Sequence, residues 1–439
     1  MKIAIIGGTR GLGEWIAHFL KEKGKDITIT GRDKIAGQRV SQKLGVNYCC
    51  DNKKVASDSD VVIIAVPIEN TESVICEISP LLKKGSLLVD VTSIKEKPSS
   101  LMQENVPEGV EFLPTHPMFG PRTLSLDGQV VVLTPPKDST IKKSKWFKLV
   151  LEFLEKNKAR VLITTPQKHD EMMSVVQVLT HFAYISIAST IEKLDIDIKD
   201  SRKFASPIYS LMLDIISRIV AQNPYLAYSI QTQTEYANKA RNIFLKSIND
   251  LNLLLSNKDQ KKFVKAMSSA AKNMDDLDSA LGRSDKALTA LNHELNVLKN
   301  SINMEVGLKH IYSGKVHLGI LKDISPDFVT LNTGKNTLKL KTANIKVLDD
   351  DSILKWKLKN LKHLKYDVSA IFPITCDPHI IASTIEKING VIKTSVIDVY
   401  QGKQVGEGKV SVTFHFEVFD KEIIKDVEHF LEGLGAVLR

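Results

Sequence analysis

The sequence predicts an α/β fold built on a parallel sheet, followed by an all-α domain, a small β-barrel and a closing α+β domain. Three observations carry this. Short apolar strands alternate with amphipathic stretches over residues 1–165, and such alternation builds a parallel sheet covered on both faces. Over residues 166–303 the β-type runs vanish and apolar positions recur three and four apart, as in Leu211, Ile215, Ile219, Leu226 and Ile230. From 304 onward short strands return in two separate groups. A chain of 439 residues exceeds one ordinary core and accommodates these domains.

Strands are expected at Lys2–Ile6, Asp26–Thr30, Val61–Val66, Ser86–Asp90, Glu111–Leu113, Val130–Leu133 and Arg160–Ile163, with helical spacing between most of them, as in Leu12–Lys23 and Ile141–Lys156. Pro166, Pro207 and Pro224 each stand where a first helical turn begins. In residues 304–354, the runs Val316–Leu321, Phe328–Leu331, Thr337–Leu340 and Ile345–Leu348 are separated by turn residues, a spacing that suits a small barrel. Lys355–Lys365 reads as a lysine-rich linker. Residues 366–439 then run strand (Tyr366–Phe372), helix (His379–Ile388), strands (Thr394–Tyr400 and Val410–Glu417), helix (Lys421–Leu434) and a short last strand. This is the order of a ferredoxin-like sandwich.

The segment Gly7-Gly8-Thr9-Arg10-Gly11-Leu12-Gly13 lies between the first strand and the first helix. Glycines there let backbone approach a pyrophosphate at a helix N-terminus, where free N–H groups and the dipole favour anions. In this setting the string identifies a Rossmann-type dinucleotide site, with Val66 and Pro67 lining it from the third strand. The second strand ends Thr30-Gly31-Arg32-Asp33. Arg32 stands where a guanidinium would fork onto a 2′-phosphate, with Arg10 assisting, so NADP is the preferred cofactor. Asp33, one place later, keeps NAD open.

Hydrophobic residues make up 43% and charged residues 25% of the chain, an ordinary globular composition. The longest apolar run, Val61 to Ile68, ends at Glu69 and is far short of a bilayer span. No signal-peptide layout opens the chain, so a cytoplasmic protein without membrane attachment is expected. None of the four cysteines forms a Cys-x-x-Cys pair, so no metal site is expected. The net charge of +9 suits a lysine-rich solvated surface, an anionic substrate and cofactor, or nucleic acid.

Two polar clusters follow expected parallel strands, where ligands of α/β folds lie: Asp90-Val91-Thr92-Ser93-Ile94-Lys95 and Thr115-His116-Pro117-Met118-Phe119-Gly120-Pro121. Together they resemble the prephenate dehydrogenase family, especially its members with a fused chorismate mutase. Phe204-Ala205-Ser206-Pro207-Ile208-Tyr209 and Arg218-Ile219-Val220-Ala221-Gln222-Asn223-Pro224 are similar to that family's dimer-forming domain. The resemblance covers roughly residues 1 to 280. Nothing resembles the mutase helices, so mutase activity is not expected.

The resemblance implies NAD(P)-dependent oxidative decarboxylation of prephenate to 4-hydroxyphenylpyruvate, on the route to tyrosine, by a homodimer. His116 would be the base that takes the ring hydroxyl proton, Ser93 would orient it or the hydroxyl, and Lys95 would help hold the substrate. Gln177 and His181, four apart, share one helix face and are candidates for substrate contacts. The family places arginines on a later long helix, where Arg241 is the first candidate here and Lys239 the second. No arginine aligns without a shift, which leaves prephenate and arogenate both open.

The segment Asp398-Val399-Tyr400-Gln401-Gly402-Lys403-Gln404-Val405-Gly406-Glu407-Gly408-Lys409 resembles another family, the ferredoxin-fold anticodon-binding domain of phenylalanyl-tRNA synthetase β chains, from about Tyr366 to Arg439. By analogy with ferredoxin-like domains beside metabolic enzymes, a tyrosine effector is the expected ligand. An RNA-binding protein on a disused dehydrogenase scaffold is the rival from another class. A different NADP-linked reductase is a third reading, which the His116 segment opposes.

Overall fold

The computed structural model describes residues 1–136, 144–274 and 276–439, and the chain divides into two compact units, Met1–Leu288 and Thr289–Arg439. The first unit opens with eight strands: β1 (Lys2–Ile6), β2 (Asp26–Thr30), β3 (Asn47–Cys49), β4 (Val61–Ile64), β5 (Leu87–Asp90), β6 (Glu111–Pro117), β7 (Val130–Leu133) and β8 (Arg160–Ile163). They form one sheet in the order β3-β2-β1-β4-β5-β6-β7-β8. All neighbours are parallel except β6 and β7. Both faces are covered, one core gathering Ile3, Ile5, Ile27 and Ile29 and the other Ala4, Ile6, Val62 and Ile64. Burial on both sides explains why these strands read as continuous apolar runs.

Two features of this sheet depart from the sequence reading. β3 is an added edge strand of three residues, held where the Tyr48 hydroxyl donates to Gly31 O at 2.9 Å. β6 runs past Leu113 through Pro117. Its first half pairs in parallel with β5, ending at Asp90↔Pro114, and its second half pairs antiparallel with β7, placing His116 opposite Val132. His116 therefore stands inside a strand, not in a loop after one. The helix before β8 spans Lys145–Lys156, capped by Ser144, which accepts from Phe147 N at 2.9 Å; the expected helical residues Ile141–Lys143 lie outside the described residues.

The helical half of this unit begins with a helix running from Pro166 to Lys193. It is α-helical over Pro166–Met173, π-helical over Ser174–Leu179 and α-helical again from Thr180. Thr180 Oγ1 donates to Val175 O at 3.1 Å, five residues back, the reach of a π turn. By length and composition this helix is apolar enough to cross a membrane, which the search for unbroken apolar runs did not reveal. It is amphipathic in use, since His169 and Asp170 are buried against the α/β sheet while Val175 and Val176 stay exposed.

In the second unit, β9 (Glu305–His310), β10 (Val316–Ile324), β11 (Phe328–Asn332), β12 (Thr337–Lys341) and β13 (Ile345–Val347) form an antiparallel sheet in the order β12-β11-β10-β9-β13. The edge strands β12 and β13 are not paired with each other among the described residues. The helical half was expected to end at 303. The last turns of helix Leu277–Asn300 belong with this sheet, because Leu298 is in its core and Glu294 Oε1 accepts from Val347 N at 2.7 Å.

The segment 355–365, expected as a linker, carries regular structure. Most of it is the end of helix Asp350–Asn360, and its last residues begin β14 (Leu364–Pro373). Asp349 caps this helix, acidic Asp350 and Asp351 lie in its first turn, and Lys357 and Lys359 lie in its last. That charge order complements the helix dipole. After β14 come helix Pro378–Ile385, β15 (Val391–Tyr400), β16 (Lys409–Val418), helix Glu422–Gly433 and β17 (Val437–Leu438), with all four strands antiparallel in the order β15-β16-β14-β17.

Candidate active site

The strand order reverses direction between β1 and β4, and in open α/β sheets the ligand crevice lies at that switch point, beyond the carboxyl ends of the strands. The Gly7–Gly13 loop follows β1 there, and Val66 and Pro67 follow β4. Gly7 has φ +87°, and a Cβ on it would come 2.7 Å from Ala65 O. A Cβ on Gly13 would come 2.4 Å from Gly7 O, so only glycine lets helix Gly11–Glu22 start so close to the loop. Arg10, at the helix N-cap, makes no side-chain cap. The first-turn N–H groups thus lack a side-chain acceptor, and this cradle fits a dinucleotide pyrophosphate. Thr9 is buried against Gly31, Leu12 is half-buried in the first turn, and Pro67 caps helix Ile68–Ile78.

At the end of β2, Asp33 is engaged twice. Its side chain accepts from Ala36 N at 3.0 Å as a helix cap, and its other oxygen pairs with Arg10. Its carboxyl is held below the usual range, first by the Ala36 N–H and, against some desolvation, by the Arg10 charge. Arg32 is exposed, and no hydrogen bond or ion pair engages it among the described residues.

His116 is 3% exposed. Its Nδ1 lies 2.9 Å from His169 Nε2, and His169 Nδ1 lies 2.7 Å from Asp170 Oδ1. Asp170 also accepts the backbone N–H of Lys95 at 2.8 Å and of Glu96 at 3.0 Å, at the start of helix Glu96–Asn105. The other imidazole nitrogen, His116 Nε2, faces Gln177 Nε2 at 3.4 Å, a long contact. Burial holds the His116 ring well below its ordinary value of 6.5, with His169 and the Lys95 charge acting the same way. A neutral imidazole with one nitrogen tied inside the protein and one weakly engaged is suited to taking a proton.

Ser93 and Lys95 stand differently about His116. Ser93 is half-buried and makes no hydrogen bond to His116 among the described residues; His169 occupies that orienting position. Lys95 is fully buried, and its ammonium donates to Asp90, to Thr115 O at 2.7 Å and to Thr92 Oγ1 at 3.4 Å. An ammonium has three protons, so none is left for a substrate. Burial lowers Lys95 from its ordinary value, and Asp90 opposes that. Lys95 braces β5 against β6, one residue from His116.

Of the residues expected to contact substrate, Gln177 reaches His116 and His181 lies one turn on. Among the described residues, the Gln177 Oε1 and His181 Nδ1 atoms are buried without a hydrogen-bond partner, as is Gln231 Oε1. Burial also lowers the His181 ring below its ordinary value. Arg241 is not turned to His116. Its guanidinium donates to Gln231 O and to Asn238 Oδ1, near the C-terminal end of helix Pro224–Thr232, where the dipole favours a cation. Lys239 is exposed and also stands apart. The joint between sheet and helices is closed by Ile68, Ile94, Val178, Ile230 and Ala237 and by Tyr236 OH donating to Glu96 at 3.3 Å. Sequence reasoning missed His169 and Asp170. A His-Asp pair at the fourth and fifth residues of a helix that opens with proline was the available signal. No cluster of three metal-ligating side chains occurs among the described residues.

Residues 16–163 match the family model for the prephenate dehydrogenase nucleotide-binding domain, and residues 165–269 match that for the prephenate dehydrogenase dimerization domain. The chain is 43% identical over 429 residues to the "Probable arogenate/prephenate dehydrogenase" of Methanocaldococcus jannaschii, covering 98% of this chain and 95% of that protein. It is 32% identical over 225 residues to the T-protein of Haemophilus influenzae, covering 51% of this chain and 54% of the relative. Among solved structures, prephenate dehydrogenase from Aquifex aeolicus, in complex with hydroxyphenyl propionate and NAD+, superposes with a TM-score of 0.51 at 21% identity. That match covers 62% of this chain and 96% of the other and speaks for the fold.

Proposed function

This chain belongs to the prephenate dehydrogenase family, and from that premise we propose that it oxidatively decarboxylates prephenate with NADP as the preferred acceptor. The observation that carries the reading is His116: a buried, neutral imidazole whose Nε2 is engaged only by the long 3.4 Å contact to Gln177, which a hydroxyl can displace. A nicotinamide held in the cofactor loop would supply the two-electron acceptor for hydride from the ring carbon that bears the hydroxyl. His116 Nε2 takes the hydroxyl proton, the ring carboxylate departs as carbon dioxide, and the electron pair it leaves makes the ring aromatic. The loop Gly7–Gly13, with Val66 and Pro67, would hold the cofactor. Gln177 and His181 offer polar atoms to the substrate beside His116. Arogenate differs from prephenate only in its side chain, and the name of the M. jannaschii relative covers both. Purified protein, both substrates and both cofactors, followed by absorbance of the reduced nicotinamide, tests this reading; no reduction with any pair would refute it.

The cofactor preference rests on Arg32. Asp33 is occupied by its cap and by Arg10, whereas Arg32 is free to meet a 2′-phosphate. Arg32→Ala should weaken NADP binding by about tenfold or more, the scale of one charge-assisted contact, and leave NAD little changed. Equal loss for both cofactors, measured by fluorescence titration, would make Arg32 merely structural.

The pH profile follows from His116. Because the folded ring resists protonation, the acid limb of kcat/KM should lie below the ordinary histidine value of 6.5. The unfolded chain takes this proton near 6.5, so His116 also costs stability as pH falls from 6.5 toward its folded value. An acid limb at or above 6.5 would assign the titration to another group.

The exposed apolar side of helix Pro166–Lys193 supports a homodimer, in which a second copy covers it. The βαββαβ order and strand order of residues 364–439 support a ferredoxin-like module, read here as the seat of a tyrosine effector in preference to RNA.

A further inference from the structure

We infer that His169 and Asp170 are positioning residues that hold His116 in a single tautomer, with the proton on Nδ1 and the lone pair on Nε2. The inference rests on the reading of His116 as the base. An ionised carboxylate only accepts hydrogen bonds, so Asp170 Oδ1, 2.7 Å from His169 Nδ1, requires the proton on that nitrogen. In a neutral ring the other nitrogen, His169 Nε2, is then an acceptor. His116 Nδ1, 2.9 Å away, must therefore donate, which leaves Nε2 bare. The reverse order would set lone pair against lone pair at Asp170. The carboxylate cannot turn away, because the N–H groups of Lys95 and Glu96 fix its two oxygens at 2.8 and 3.0 Å.

Asp170 lies on helix Pro166–Met173, which opens the helical half, while Lys95 and Glu96 lie after β5 of the sheet. One carboxylate thus docks that helix on the sheet and sets the basic nitrogen of a residue on β6. His116 is competent only when the helix is seated.

The test is direct observation of the tautomer in the full-length protein labelled with 15N-histidine, the His116 signals being assigned by their loss in His116→Asn. The wild type should show a protonated Nδ1 and a bare Nε2. Asp170→Ala removes the acceptor that fixes the His169 proton on Nδ1, so His169, and His116 with it, should become mixtures of tautomers. Its kcat should fall at least about tenfold, with cofactor affinity unchanged. His169→Phe leaves Asp170 on its two backbone donors and removes the acceptor, so His116 should become a mixture of tautomers with kcat reduced at least about tenfold. A bare Nδ1 on His116 in the wild type would overturn the inference. So would an unchanged His116 tautomer in a folded Asp170→Ala or His169→Phe protein. The nitrogen spectrum needs no turnover, so failure to oxidise prephenate would defeat the functional reading and leave this result standing.

Discussion

A His116→Asn protein is expected to bind its cofactor normally and to turn over about 10²–10⁴-fold more slowly, the range of a positioned general base. Asparagine is the informative replacement. Its amide nitrogen falls near the place of the imidazole Nδ1 and can still donate to His169, so the chain through His169 to Asp170 persists. What disappears is the Nε2 lone pair. The cofactor loop lies on β1 and Val66 and Pro67 follow β4, whereas His116 is in β6, two strands from β4. Cofactor binding should therefore be spared. The measurement is kcat with saturating substrate beside a titration with reduced cofactor. Turnover near that of the wild type would remove His116 as the base.

The parallel sheet, the helical half and the cofactor loop were legible in the sequence because each is written in local code. Apolar runs of strand length, 3.6-residue spacing and a glycine string after a first strand all act over a few neighbours. What escaped was set by partners distant in sequence or masked by a contrary local signal. The strand expected at Glu111–Leu113 stopped short of Pro114, yet β6 continues through Pro114 to Pro117, because Pro114 uses only its carbonyl, accepting from Thr134 N at 3.0 Å. Lysines at 355–359 read as a solvated linker, yet lysine is also a good helix former, and the Asp349 cap ahead of them decides the matter. His169 comes to His116 across 53 residues, a separation that no pattern in either segment encodes. The same holds for Lys95. Its place in the family motif pointed to the substrate, but Asp90 and the Thr115 carbonyl claim its ammonium.

Replacing Lys95 by methionine should accordingly act on stability first. The side chain is 0% exposed and its ammonium pairs with an equally buried Asp90. Methionine fills similar volume, so the loss is of charge and not of packing. Asp90 would keep the Thr92 N–H at 3.0 Å and the Thr92 hydroxyl, but its Oδ1 already has no partner among the described residues. Removing one member of a buried pair leaves an uncompensated charge and costs about 3–5 kcal/mol. The first unfolding transition in urea should move to lower concentration by that amount, with activity falling as β5 and β6 loosen around Thr115 and His116. Removing both charges, in Asp90→Asn with Lys95→Met, should recover part of the loss, because a neutral pair no longer carries the desolvation penalty. A substrate-binding lysine would behave in the opposite way: Lys95→Met would keep its stability and raise KM, and the second substitution would restore nothing. A Lys95→Met protein as stable as the wild type to within about 1 kcal/mol, with weakened substrate binding, would therefore return Lys95 to the substrate and refute its role as a buried brace.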